Sequence, residues 1–275
     1  MGAPLTPDEL RHRLRVRPGT HVHLGGIDPG DTGGHAKEES EAELAAGVAR
    51  LRELQELAWA DGGRAILVVL QGMDTAGKDG AITHVMSGFN PQGVRVVPFR
   101  APSPEEAAHD FLWRAHRAAP AKGEIAIFNR SYYEDVLIVR VHNLVPRDAW
   151  RRRYDAINEF ERVLADGGTT IVKFFLHISN EEQRQRLQDR KDSPTKRWKF
   201  RSADLVERGY WDEYVKAYED ALSRCSTDVA PWYVIPADHK WYRNLAVAQI
   251  LAATMAGMDL RYPEPEPGIE GLIVE

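Results

Sequence analysis

Residues 64–80, Arg64-Ala65-Ile66-Leu67-Val68-Val69-Leu70-Gln71-Gly72-Met73-Asp74-Thr75-Ala76-Gly77-Lys78-Asp79-Gly80, read as a buried strand running into a phosphate-binding loop. Gly72 to Lys78 fill the first seven positions of the pattern G-x-x-x-x-G-K-[ST]. In that pattern backbone N–H groups and the lysine cradle a phosphate chain at a helix N-terminus. The eighth position departs from it: Asp79 stands where a hydroxyl usually holds magnesium. Asp74 adds a second carboxylate inside the loop. A carboxylate there repels phosphate unless a divalent cation lies between them. The stretch therefore predicts metal-bridged phosphoryl transfer, with Asp74 as the magnesium ligand. Gly72, Thr75, Ala76, Gly77, Asp79 and Gly80 are the loop positions expected against phosphate. A plain strand–turn–helix corner with a surface lysine is the alternative.

Outward from the loop, strands and helices alternate. The predicted strands are Ala65–Leu70, Val94–Phe99, Ile125–Phe128, Thr170–His177 and Trp232–Ile235, mostly the continuous apolar runs of parallel strands covered on both faces. The predicted helices lie near residues 37–61, 78–87, 104–117, 132–141, 146–165, 180–190, 202–224 and 241–256. Such alternation predicts a doubly wound α/β fold, with ligands at the carboxyl ends of the strands, where the loop falls. Residues 1–35 read as an extended arm, 36–260 as a single domain, and 261–275 as a loose or partner-held tail.

Two further segments carry chemistry. After the strand Ile125–Phe128 come Asn129-Arg130-Ser131-Tyr132-Tyr133-Glu134-Asp135. Asn129 occupies a position that often bears a magnesium-binding Asp, Arg130 can clamp a phosphoryl group, and Glu134 is a metal or nucleotide contact or a helix-dipole acid. From Arg184 to Arg208, nine Lys or Arg face four Asp or Glu, in a chain whose net charge is −5. Ser193-Pro194 breaks this segment into two helices. That shape suits a mobile lid over about residues 180–210, with Arg186, Arg190, Lys191, Lys196 and Lys199 facing a polyanion, although a solvated helix face is the plainer reading. Trp198 and Trp211 read as packing residues, and His177 as a satisfied structural histidine.

Composition bounds the rest. Apolar and charged fractions of 43% and 28% are those of an ordinary globular chain, and the acidic balance argues against a nucleic-acid coat. No run reaches the roughly 18 apolar residues of a membrane span. Cys225 is alone, which excludes an internal disulfide and suits a cytoplasmic setting. Met1-Gly2-Ala3-Pro4-Leu5-Thr6 meets the loose acylation pattern, a short and inexpensive match.

With these motifs in place, the chain resembles the second polyphosphate kinase family, phosphoryl-transfer enzymes of P-loop kinase type. The resemblance runs from about Arg15 to Leu251 and rests on Leu70–Gly80, Asn90-Pro91-Gln92-Gly93, Phe128–Asp135, Phe175–Ser179, Trp198-Lys199 and Ala230–Asp238. It implies a three-layer α/β/α sandwich with a central parallel sheet of about five strands and a helical lid. It also implies inorganic polyphosphate as donor, AMP, ADP and ATP as nucleotide partners with guanine nucleotides a further class, and magnesium or manganese as cofactor. A homo-oligomer is the separate expectation, with the N-terminal arm and the amphipathic Leu44–Leu57 helix as its candidate interfaces. By position, Asp74, Lys78, Arg130 and Arg190 match the catalytic set, and Asp74 and Glu134 the metal-holding acids. Asn129 replaces an Asp found in many relatives, a version resembling the subgroup that phosphorylates both nucleoside monophosphates and diphosphates. The rivals are an ATP-dependent nucleoside monophosphate kinase and a non-catalytic nucleotide switch or polyphosphate binder. The chain has no Asn-Lys-x-Asp motif of a GTPase switch.

Overall fold

Eight consecutive residues with no exposed side chain force a strand into the middle of a sheet. Strand β1 (Ala65–Gly72) is buried at every position. In the computed structural model, which describes residues 4–269 and 272–274, it is flanked by β3 (Ile125–Asn129) and β4 (Thr169–His177). Strand β2 (Val94–Pro98) and strand β5 (Trp232–Pro236) form the edges, in the order β2-β3-β1-β4-β5. All four pairings are parallel. The carboxyl ends of all five strands therefore open on one side, and the loop after β1 lies there.

The helices are α1 (Pro7–Leu14), α2 (Lys37–Asp61), α3 (Lys78–Val85), α4 (Pro104–Ala107), α5 (Trp113–Ala118) and α6 (Ile138–Val141). They continue with α7 (Arg147–Asp166), α8 (Asn180–Asp192), α9 (Ser202–Arg208), α10 (Trp211–Cys225) and α11 (Lys240–Ala256). Helices α1, α2 and α3 pack around α11, while α7, α10 and the turn Tyr132–Val136 form a second group. The result is a sheet with helices on both faces. Helix α2 stops at Gly62, whose φ of 63° closes the last turn as a left-handed cap. Leu51, Leu54 and Ala58 of this helix are buried within the chain, while Leu44, Val48 and Leu57 of its apolar stripe are half-buried.

Local chemistry corrects the sequence reading in several places. The arm is not wholly extended. Thr6 and Glu9 form a reciprocal capping box with Pro7 at the first position, which starts α1 and buries Leu10 and Leu14. Arg15 then forms an antiparallel bridge to Tyr233, and Val16 N donates to Trp232 O at 2.9 Å, covering the β5 edge. The helix expected over 104–117 splits because Asp110 Oδ1 accepts from Leu112 N at 2.9 Å and begins a new turn. The one expected over 202–224 breaks after Gly209 into α9 and α10. Residues 132–136 form a 3-10 turn rather than the start of a helix. Met1-Gly2-Ala3 of the acylation match, and Glu270, Gly271 and Glu275 of the tail, lie outside the described residues.

The 3-10 turn is anchored in the core. Lys173 in β4 and Glu161 in α7 are both fully buried and meet at 2.6 Å. Glu161 also accepts from Tyr132 at 2.7 Å and Tyr133 at 2.9 Å. Lys173 also donates to Tyr133 Oη at 2.9 Å and to Cys225 O at 2.6 Å. Two consecutive tyrosines thus reach one carboxylate and tie the turn to the core. Burial pushes the Glu161 carboxyl up and the Lys173 ammonium down, and their attraction opposes both shifts. Removing one member strands the other. Lys173→Met is expected to cost about 3–5 kcal/mol of stability, read as a lower urea midpoint; an unchanged midpoint would show that the pair is dispensable.

Candidate active site

Strand β1 ends at Gly72, and the chain must turn sharply to start α3 six residues later. Thr75, at φ 64°, and Gly77, at φ 107°, supply the left-handed backbone this needs. Ala76 N closes the turn on Met73 O at 3.1 Å. The N–H groups of Gly77, Lys78, Asp79 and Gly80 have no acceptor among the described residues, so they present an array of donors at a helix N-terminus. Lys78 is folded under the loop at 8% exposure, its Nζ donating to Gly72 O at 2.7 Å and Met73 O at 3.2 Å. Burial, with Arg130 nearby, lowers its pKa to about 8, against the pull of Asp74, Glu134 and Asp79.

The acids stand beside this array. Arg130, at the end of β3, is also left-handed, with φ 62°. Its guanidinium lies 2.7 Å from Asp74 and 3.5 Å from Glu134. Burial works against the Arg130 charge, but Glu134 and Asp74 outweigh it and hold its pKa up. Asn129 Nδ2 donates to Asp79 Oδ1 at 2.8 Å, and Lys199 Nζ lies 3.8 Å from the other Asp79 oxygen. Asp74 and Arg130 form a shared wall between two cavities. One, of about 460 Å³, runs along the loop past Lys78, Asp79, Asn129, Arg190 and Lys199. The other, of about 170 Å³, lies toward Glu134, Trp211, Tyr214 and Tyr218. A wider opening beyond them is walled by Phe99, Ile138, Leu144 and Trp198.

The predicted residues thus divide. Gly72, Asp74, Thr75, Gly77, Lys78, Asp79, Gly80, Asn129, Arg130, Glu134, Arg190 and Lys199 line one or other of the first two cavities. Arg190 is 3.7 Å from Asp204. Arg186 does not face a polyanion. It is 6% exposed, pairs with Glu182 at 2.7 Å, and donates to the carbonyls of Thr75, Ala76, Ala237 and Asp238. Ala76, also expected at the phosphate, is fully buried and offers that carbonyl to Arg186 from behind. Lys191 sits 4.0 Å from Asp192, and Lys196 is exposed; neither is beside the loop in this arrangement. Trp198, expected to pack, is 76% exposed with Lys199 over its ring. Asp135 is held by Arg153 at 3.0 Å and Arg114 at 3.7 Å and lines the wider opening but neither of the two cavities at the loop. His177 Nε2 donates to Ile27 O at 3.0 Å, a structural contact.

Sequence reasoning missed several neighbours. Gln183 Nε2 donates to Asp74 O at 3.2 Å. Trp211, Tyr214 and Tyr218 share one face of α10, a helical aromatic stripe that reads as core until the cavity is seen. Arg208 binds Gln183 and Asn180 and so ties α9 to the start of α8.

Comparison with known proteins gives this arrangement its context. The sequence profile described as "Polyphosphate kinase 2 (PPK2)" matches residues 34–263. The chain belongs to the polyphosphate kinase 2 family. It is 54% identical to the AMP/ADP-polyphosphate phosphotransferase of Meiothermus ruber, over 96% of this chain and 99% of that protein. It is 47% identical to the ADP-polyphosphate phosphotransferase of Rhodopseudomonas palustris, over 93% of each. The crystal structure of polyphosphate kinase 2 from Arthrobacter aurescens TC1 superposes with a TM-score of 0.92 at 45% identity, covering 98% of this chain and 96% of that one. The fold is accordingly that of the polyphosphate kinase 2 family, a parallel five-stranded sheet flanked by helices.

The depressed Lys78 has a measurable consequence. A phosphate chain beside it favours the ammonium and pulls its pKa back up. Below about pH 8 the group is already charged and binding takes up no proton there. Above about pH 8 binding is expected to take up a proton and to weaken as pH rises. Calorimetry of tripolyphosphate binding in buffers of different ionisation enthalpy measures this uptake, and Lys78→Arg should abolish it.

Proposed function

We propose that this protein transfers the terminal phosphoryl group of inorganic polyphosphate to AMP and to ADP, reversibly. The observation that carries this reading is the placement of Asp74 and Arg130 as the wall between the loop cavity and the cavity toward Glu134, in a chain so similar to AMP/ADP-polyphosphate phosphotransferase. Polyphosphate would lie along the loop, where donors without acceptors and Lys78, Arg190 and Lys199 offset its charge. The nucleotide would enter from the opposite side, its base against the apolar walls at Ile138, Leu144 and Trp198. A phosphate oxygen of the nucleotide attacks the terminal phosphorus in line. The bond to the rest of the polymer breaks, and the polymer leaves one unit shorter. A nucleotide phosphate is already deprotonated at neutral pH, so catalysis consists of positioning and charge stabilisation.

Whether the acids fit a divalent cation follows from their number. Asp74 and Glu134 approach one another through Arg130, and no cluster of three or more His, Cys, Asp or Glu suited to a metal exists among the described residues. Two carboxylates without a protein cage suit magnesium, which keeps waters and is bound by one or two acids together with substrate phosphates. The pair fits magnesium or manganese on those terms, and the ion would neutralise charge on the phosphoryl oxygens. Arg130 now occupies the space between the two acids, so it acts as the placeholder and then as the clamp on the transferred group. The segment from α8 through α9 is the lid of this reading, joined at Ser193-Pro194 and carrying Arg190 and Lys199 toward the loop. Residues 36–260 then form the kinase domain, with the arm docked on it and the tail outside it. The setting is cytoplasmic and homo-oligomeric, with the arm and the half-buried Leu44, Val48 and Leu57 of α2 as candidate contacts between copies.

Two measurements test the proposal. Purified protein with magnesium and polyphosphate should convert AMP to ADP and ATP; if ATP alone serves as donor, an ATP-dependent monophosphate kinase replaces this reading. Asp74→Asn should lower kcat by at least about 10²-fold while polyphosphate binding changes little, and near-normal turnover would remove Asp74 from the assignment.

A further inference from the structure

Helix α11 places Arg243 beneath the phosphate-binding loop, where it is 3% exposed. Its guanidinium donates to Asn244 Oδ1 at 3.1 and 2.8 Å and to Ala76 O at 3.3 Å. These acceptors are neutral, and no carboxylate among the described residues lies within ion-pair distance of it. The charge that bears on it is another cation, Arg186, and burial with that neighbour draws its pKa down to about 10. Arg186 has its own counter-ion in Glu182 at 2.7 Å; Arg243 has none. Burying a charge without an opposite partner is costly, so a residue kept in this state implies a countercharge that arrives from elsewhere.

The geometry shows where that countercharge would come from. A Cβ on Gly77 would stand 1.7 Å from Arg243 Nη1, and one on Gly80 2.9 Å from Nη2. The guanidinium therefore packs against Gly77 and Gly80, and a side chain at 77 would displace it as well as strain the φ of 107°. The Ala76–Gly77 peptide is trans, so its carbonyl and its N–H point in opposite directions. With the Ala76 carbonyl accepting from both Arg186 and Arg243, the Gly77 N–H is turned the other way and has no acceptor. Two cations on one carbonyl polarise the peptide and strengthen its N–H as a donor.

We infer that Arg243 is a positioning residue for the phosphoryl donor. Its buried charge, passed on through the Ala76–Gly77 peptide, raises the affinity of the loop for a phosphate chain, and the bound anion supplies the countercharge that Arg243 lacks. This deepens the reading of the loop as the polyphosphate site and rests on it. A residue that merely braced the loop would behave differently, because its loss would weaken the empty protein and leave anion affinity in proportion.

Arg243→Gln and Arg243→Met remove the charge, the second keeping an aliphatic stem, and Arg243→Lys retains it. Three quantities are measured on each: the melting temperature without ligand, its rise with sodium tripolyphosphate, and the KM values for polyphosphate and ADP. The neutral variants should melt no lower than wild type when empty and lose most of the tripolyphosphate-induced rise. Their KM for polyphosphate should increase about tenfold at unchanged KM for ADP, and the lysine variant should recover most of the difference. A lower empty melting temperature with the tripolyphosphate rise intact would overturn the inference, as would failure of both neutral variants to fold, since Arg243 would then be a strut. Equal rises in both KM values would overturn it as well. The tripolyphosphate measurement needs no turnover: absence of polyphosphate transfer by the wild type would remove the proposed function without being mistaken for a result about Arg243.

Discussion

A loop that binds phosphate through its backbone must leave several N–H groups without partners, and such a loop can keep its shape only if its carbonyls are held elsewhere. In this chain that restraint comes from behind. Arg186 holds the carbonyls of Thr75 and Ala76 and Lys78 those of Gly72 and Met73, while Arg243 adds its charge at Ala76 without being needed to hold the turn. Three cations thus converge on the carbonyl side of one short turn, while the donor side faces a cavity. The left-handed residues Thr75 and Gly77 are tolerated because this scaffold over-determines them. The sheet order, with β1 central and β4 beside it, brings α8 and α11 to the loop from neighbouring strands.

The same crowding explains the acids. Asp74 would be unfavourable among anions, and Arg130 neutralises it and Glu134 together. Arg130 directly follows β3 with a left-handed backbone, two residues before the turn that Tyr132 and Tyr133 anchor to the core. Arg130 and Glu134 are therefore carried by a segment whose position is fixed by a buried ion pair rather than by surface contacts. Rigidity at Glu134 and exchange of partners at Asp74 are compatible because they belong to different elements.

How much of this was legible in the residues depends on whether the deciding contact is local. The strand–loop–helix unit from Arg64 to Gly80 could be read directly, since apolar continuity, glycine spacing and the lysine all act within a few residues. The five strands were found for the same reason. Helix breaks at Asp110 and Gly209 were missed because apolar periodicity continues through them, although each carries a residue that favours a break. Lys173 and Glu161 were hidden inside a strand and a helix of ordinary pattern, and only their meeting across the sheet makes them intelligible. The basic segment shows the opposite limit. Its charge surplus was plain, but Arg186 points inward and Arg190 outward on the same helix, a difference set by the neighbours Thr75 and Ala237 rather than by composition.

The single thiol offers a way to watch this interior. Cys225 is fully buried at the end of α10, its carbonyl held by Lys173, and burial pushes its pKa up to about 12. In the folded chain it is both inaccessible and almost entirely protonated, hence unreactive toward alkylating reagents. Labelling at this position would report the rate at which α10 lifts from α7, whose Tyr154 carbonyl accepts from the thiol, giving an internal clock for the opening of the layer behind Arg130 and Glu134.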